Sequence, residues 1–283
     1  MSSGSRRRGV RVVLVLAICG LVGAGGTVDA ADGTGPTPAL TARATTLAVD
    51  PAFLAAQPEA VARALRAGVV ITRDATAVRA SFASGVIVGL RDGVATIVTA
   101  RHVVDPRYPG APSDLPSVPG LTVTSIGGVR VRARVAWLAP HGVDLAIVSA
   151  RLADREARTA IWERDARVRR GDAVFTIGNT QGGRWLRADG AVEQLRDARQ
   201  DGFDFAMVLS SVAVQSGYSG GGLYDARGRL VAVNSTRGLG AGATQMGGPA
   251  GGGTQTREPA LLSTALDALL DLAPAELQLR AKP

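Results

Sequence analysis

From Gly68 onward the chain breaks into short runs of β-branched and apolar residues separated by turn dipeptides, and that rhythm leaves few folds open. Residues 69–72, 84–90, 94–99, 129–138, 145–148, 173–177, 205–209 and 230–233 read as strands. Asp92-Gly93, Asp189-Gly190 and Asp225-Ala226-Arg227-Gly228 read as turns, because Asp and Gly accept the left-handed backbone that tight turns require. Many short strands with little helical period between them predict an all-β barrel or sandwich. The 46% hydrophobic content supplies a core for such a body, and 36 glycines suit frequent turns.

Two helices are expected at the margins. Residues 58–65 carry Glu59 near an N-terminus and Val61 and Leu65 one turn apart. Residues 258–272 place Leu261, Leu262, Ala265, Leu269 and Leu272 on one stripe, which predicts a C-terminal helix docked on the β body. Before it, 238–253 is dense in glycine and reads as a flexible loop.

The first thirty residues read as an address. Arg6, Arg7, Arg8 and Arg11 precede an apolar run at 12–24, and Val28-Asp29-Ala30 offers small residues before a cut, the pattern of a secretory signal peptide. The run contains Gly20 and Gly23 and falls short of the ~20 apolar residues of a spanning helix. The expectation is therefore an exported protein, periplasmic or secreted; the alternative is an uncleaved segment that anchors it, the only route to membrane contact. Residues 31–66 read as a linker and short helix, 67–272 as the folded domain with halves near 67–160 and 165–257, and 273–283 as a tail. Cleavage would also remove Cys19, the single cysteine. A cysteine-free exported domain is held by its core alone.

Composition excludes several chemistries. The one lysine is Lys282, so P-loops, Ser-Lys dyads and Schiff-base lysines are absent. With two histidines and one cysteine, a zinc site on three His or a thiol pair cannot be assembled, and neither metal nor cofactor is expected. The net charge of +8 comes from scattered arginines without interleaved aromatics, which does not predict a nucleic-acid partner. Oligomeric state is not legible.

Gly217-Tyr218-Ser219-Gly220-Gly221-Gly222 sets a serine among glycines, where backbone can approach a carbonyl closely and successive N–H groups can converge. The string also satisfies G-x-S-x-G, but in that elbow the acid and histidine follow the serine, and the next residues begin a helix. Here both histidines precede Ser219, and three glycines are a poor helix start. An ester or lipid hydrolase of that kind is thus disfavoured. His102 ends an apolar strand, whereas His141 lies in the turn Pro140-His141-Gly142, so His102 is the expected base and His141 an exposed loop residue. Asp144 opens the run Asp144-Leu145-Ala146-Ile147-Val148, and alone would read as a turn cap.

Taken together, Ser84-Gly85-Val86-Ile87-Val88, Thr99-Ala100-Arg101-His102-Val103-Val104, the Asp144 run and Gly217-Tyr218-Ser219-Gly220-Gly221 resemble the trypsin-like peptidases of chymotrypsin fold, and in particular the protease domain of the high-temperature-requirement family. Gly171-Asp172 and Ile177-Gly178-Asn179 are similar to that family's entry to the second barrel. The resemblance spans roughly 68–236. It implies two six-stranded antiparallel barrels, with a serine endopeptidase triad of Ser219 as nucleophile, His102 as base and Asp144 as its orienter. It further implies an oxyanion hole from the N–H groups of Gly217 and Ser219, and substrate contacts at Ala213, Val233, Asn234 and Ser235, the substrate adding a strand along 230–235. Protein or peptide substrates follow; the alternative is an inactive peptide-binding scaffold. Nothing after residue 237 resembles the PDZ module that usually follows in that family, and no Arg-Ile-Val-Gly-Gly activation site is present.

Overall fold

In the computed structural model, which describes residues 48–74, 80–108, 115–163, 167–180, 185–213, 215–238, 260–277 and 279, the strands close into two antiparallel barrels. The first contains β1 (Gly68–Asp74), β2 (Ala80–Arg91), β3 (Val94–Thr99), β4 (Thr122–Ser125), β5 (Arg130–Leu138) and β6 (Ala146–Arg151), in the order β1-β2-β3-β6-β5-β4. The second contains β7 (Ala173–Asn179), β8 (Trp185–Gln200), β9 (Phe203–Ser210), β10 (Gly222–Asp225), β11 (Leu230–Gly238) and β12 (Ala260–Ala265), in the order β10-β11-β12-β9-β8-β7. The architecture is chymotrypsin-like: mostly strand, few helices, and a C-terminal helix. The expected signal segment and the glycine-rich stretch from 239 lie outside the described residues.

Alternation along the strands builds the barrel interiors. Val69, Ile71, Ile87, Ile97, Val123 and Val148 fill the first, and Val174, Val192, Val208, Leu223 and Leu261 the second. A third cluster forms the seam between them, where Val70, Trp137 and Ile147 meet Phe175, Trp185, Tyr224 and Val233. Two short helices precede the barrels. α1 (Pro51–Ala55) starts with Asp50, whose carboxylate accepts from Ala52 N at 2.8 Å, and α2 (Glu59–Ala67) buries Val61 and Leu65 in the seam. The end of the expected linker therefore belongs to the fold: Val49 and Leu54 are buried, and Val49 N donates to Ile126 O at 2.9 Å.

Two expectations are corrected. Asp189-Gly190 is not a turn but lies inside β8, Gly190 pairing with Val174. Its lack of a side chain serves close approach, since a Cβ there would stand 2.7 Å from Val212 N. The tight turn falls instead at Asp201-Gly202, with φ of 46° and 84°, matching Asp92-Gly93 at 51° and 72°. The C-terminal helix is shorter than expected: 260–265 is β12, seated between β9 and β11, and α4 (Leu266–Leu272) only begins afterwards. The second barrel accordingly extends past 257. A short apolar run satisfies both periods, and the gap between β9 and β11 decides for strand.

Candidate active site

β3 ends at Thr99, and the chain then makes a single helical turn, α3 (Arg101–Val104), which carries His102. Asp144 sits just before β6, its side chain 9% exposed. Its Oδ1 accepts from His102 N at 2.9 Å and its Oδ2 pairs with His102 Nδ1 at 2.9 Å. Oδ2 also accepts from the hydroxyl of Ser235 on β11. Burial alone would raise the Asp144 pKa, but the hydrogen bonds and charge of His102, with the Ser235 hydroxyl, outweigh it and hold the carboxyl below its ordinary value. An ionised carboxylate only accepts, so Nδ1 carries the hydrogen, and in the neutral imidazole the lone pair is then on Nε2.

Ser219 lies in the loop from β9 to β10 and lines the same cleft as His102, a space of about 140 Å³. Among the described residues no hydrogen bond joins the Ser219 and His102 side chains; such bonds are often long in free enzymes and tighten on binding. The loop is pinned from both barrels. Ser84 N donates to Ser219 O at 2.9 Å, and Ser84 Oγ donates to Gly217 O at 2.7 Å while accepting from Asn179 N at 3.0 Å. Gly220 N donates to Asn234 O, and Asn234 N to Gly221 O, both at 2.8 Å. Gly217 and Gly220 have φ of 104° and 78°, backbone open only to glycine at low cost. Among the described residues neither Gly217 N nor Ser219 N donates to the protein.

A sequence model of the trypsin-like peptidase domain matches residues 83–233, a span holding His102, Asp144 and Ser219. The chain belongs to the trypsin-like peptidase family. Solved structures of similar fold include the HtrA-type protease AlgW with tripeptide, at 21% identity and TM-score 0.56, covering 77% of this chain and 62% of that one. The serine endoprotease from Yersinia pestis aligns at 19% identity and TM-score 0.54, over 75% and 63% of the two chains. Rv3671c from M. tuberculosis H37Rv, in an inactive form, aligns at 15% identity and TM-score 0.55, over 87% and 100%. The chain thus spans less than two thirds of the first two proteins. No curated protein sequence matches it.

Within this trypsin-like domain the expected substrate contacts fare unequally. Ala213 is exposed in the loop after β9. Val233 and Asn234 are corrected, since both are buried: Val233 packs in the seam and Asn234 is 1% exposed. Asn234 Nδ2 donates to Thr176 Oγ1 at 2.7 Å and to Tyr218 O at 3.2 Å, bracing the serine loop from beneath. The Ser235 side chain faces Asp144 rather than a pocket. The added-strand expectation also moves. Residues 232 and 233 are paired on both edges, by β10 and by β12, whereas 236–238 pair, among the described residues, only with β12. The open edge of β11 therefore begins beyond Asn234.

His141 is exposed, with φ of 56°, stacks on Phe203 at 5.6 Å between centroids, and does not line the cleft that Ser219 shares with His102. Sequence reasoning missed three supports: Ser84, the role of Ser235, and Arg101. Arg101 is 4% exposed; its Nε lies 3.2 Å from Asp105 Oδ2, and Nη1 donates to Ala139 O at 2.8 Å. It thereby ties the turn bearing His102 to the end of the segment leading to Asp144. Only burial could have revealed it, because a lone arginine beside a histidine carries no pattern.

Burial would raise the Asp105 pKa, but hydrogen bonds from Arg107 and Arg101 leave it lowered, as hydrogen bonds and charge do for Asp144. Carboxyls lowered in the folded state contribute stability that is fully present above their unfolded value near pH 4 and is lost as pH falls through the folded values. The urea midpoint should hold level from pH 7 to about pH 5 and decline below about pH 4. Asp144→Asn should show a smaller difference between pH 7 and pH 3 than the parent; an undiminished difference would remove Asp144 from this linkage.

Proposed function

We propose that the chain is an exported serine endopeptidase that cleaves peptide bonds through an acyl-enzyme. The observation that carries the reading is the imidazole of His102, held at Nδ1 and at its backbone N by buried Asp144, in one cleft with Ser219. A serine hydroxyl attacks a carbonyl only when a base takes its proton, and Nε2 is the acceptor available. As Ser219 Oγ bonds to the scissile carbon, its proton passes to Nε2, and Asp144 stabilises the imidazolium. The carbonyl oxygen, now anionic, is received by Gly217 N and Ser219 N. Nε2 then protonates the leaving amine, and water, activated by the same nitrogen, hydrolyses the ester. Support for export is the basic-then-apolar pattern of residues 1–30 and the lack of cysteine after it.

On the acyl side, the substrate adds a strand along the open edge of 235–238, and Ala213 marks the floor of the primary pocket. An uncharged floor leaves a bound Arg or Lys side chain unpaired, at about several kcal/mol, so small and medium aliphatic residues are preferred before the cut. AlgW, a protease of the same fold, was solved with a tripeptide, which supports a peptide ligand.

A fluorophosphonate probe tests the chemistry: it should label the parent and not Ser219→Ala. A folded parent that takes no label would favour the scaffold reading. Cleavage of a peptide library, read by mass spectrometry, should show cuts after Val, Ala or Leu. Predominant cuts after Arg or Lys, absent in Ser219→Ala, would overturn the role given to Ala213.

A further inference from the structure

We infer that Arg73 selects substrates carrying an acidic side chain immediately after the cleaved bond. This rests on the peptidase reading and adds the chemistry of the leaving side.

The cleft that holds Ser219 and His102 continues into the first barrel, between Ile71, Ala83 and Val103, with Arg73 and Phe82 completing its lining. In the β1/β2 register Ile71 faces Ala83 and Arg73 faces Ser81. Residues two apart on a strand share a face, so Arg73 stands beside the apolar floor that Ile71 and Ala83 make. The direction of the reaction says which half of the substrate arrives there. His102 hands its proton to the departing amine, so the leaving residue lies on the His102 side, toward the first barrel. The acyl half lies toward the second barrel, where the open edge of β11 begins past Asn234.

Size and charge then define the occupant. A space of about 140 Å³ takes one side chain of medium length. Among the described residues the ionisable groups that line it are His102 and Arg73, with no carboxylate. Asp144 sits behind His102 with three donors on its oxygens. A glutamate fits both halves of such a site: its methylenes cover Ile71 and Ala83, and its carboxylate meets the planar fork of the guanidinium, which favours paired hydrogen bonds. A lysine or arginine would bring like charge against Arg73.

The test uses the full chain and three quenched fluorescent peptides, identical with Val before the cut and differing only in Glu, Gln or Arg after it. The parent at low salt should show kcat/KM for Glu about tenfold above Gln, the size of one charge-assisted hydrogen bond, with Arg lowest. That ratio should shrink toward one in ~1 M salt, because a half-exposed pair is screened. In Arg73→Gln the Glu to Gln ratio should fall to about one, and in Arg73→Glu the Arg peptide should overtake the Glu peptide. Each ratio is taken within one protein, so losses of folding or general activity cancel. A parent ratio near one, or a ratio that survives in Arg73→Gln, overturns the inference. If the parent takes the fluorophosphonate label and cuts the Glu and Gln peptides equally, only the role of Arg73 falls; if it neither labels nor cuts any peptide, the peptidase reading falls with it.

Discussion

Ser219→Ala, His102→Ala and Asp144→Asn should each lower peptide-hydrolysis kcat by about 10⁴-fold or more, and His141→Ala should change it by less than about twofold. In the proposed mechanism the first three remove the nucleophile, the base, or the carboxylate that fixes the base's tautomer, and groups acting as a unit fail together. A double variant Ser219→Ala/His102→Ala should accordingly be no slower than either single one. His141 stacks on Phe203 and does not line the cleft that Ser219 shares with His102. Steady-state kinetics on one fluorogenic peptide decides the matter. A dead His141→Ala with an active His102→Ala would reassign the base, and full activity in Ser219→Ala would remove the acyl-enzyme.

The second large effect is expected from Gly217→Ala. At φ of 104° an L side chain is strained, and the added Cβ would collide with the backbone oxygen of Asn179. The loop must shift, and its N–H groups shift with it. If those donors receive the oxyanion rather than the ground-state carbonyl, as proposed, kcat should fall by about 10²–10³ with KM nearly unchanged. Gly93→Ala is the matched comparison: its φ of 72° imposes similar strain, yet nothing lies within 4 Å of the added Cβ, and Gly93 sits in the β2–β3 turn remote from the serine. It should lose roughly 1–2 kcal/mol of stability and keep its activity. Equal activity losses in the two variants would mean that strain alone, not displacement of the Gly217 and Ser219 N–H groups, explains the result.

Much of the first barrel was legible along the chain because its strands alternate and its hairpins turn on residues suited to positive φ. The run 94–99 has the bounds that β3 adopts, and 129–138 agrees with β5 to within one residue. The elements that escaped share a cause. β4 is four residues long, β8 is largely polar and its Asp189-Gly190 imitates a turn, β10 begins inside the glycine run, and β12 is an apolar stretch compatible with either period. None carries enough local signal to outweigh its alternatives, and each becomes a strand because a neighbouring edge would otherwise be left unpaired.

The site divides along the same line. Chain order and the glycine context single out His102 and Ser219, with only two histidines available, whereas Asp144 alone reads as a turn cap and enters through the family resemblance. What holds them was decided in three dimensions. Ser84 reaches Gly217 across 133 residues and Ser235 reaches Asp144 across 91, each through a single hydroxyl that no local pattern encodes. The same closure turned Val233 and Asn234 inward, moved the open edge of β11 past them, and set Arg73 in one cleft with Ser219. Local sequence determined which residue types are available for chemistry and which segments extend; barrel closure decided which groups meet, because register and burial are properties of strands already paired.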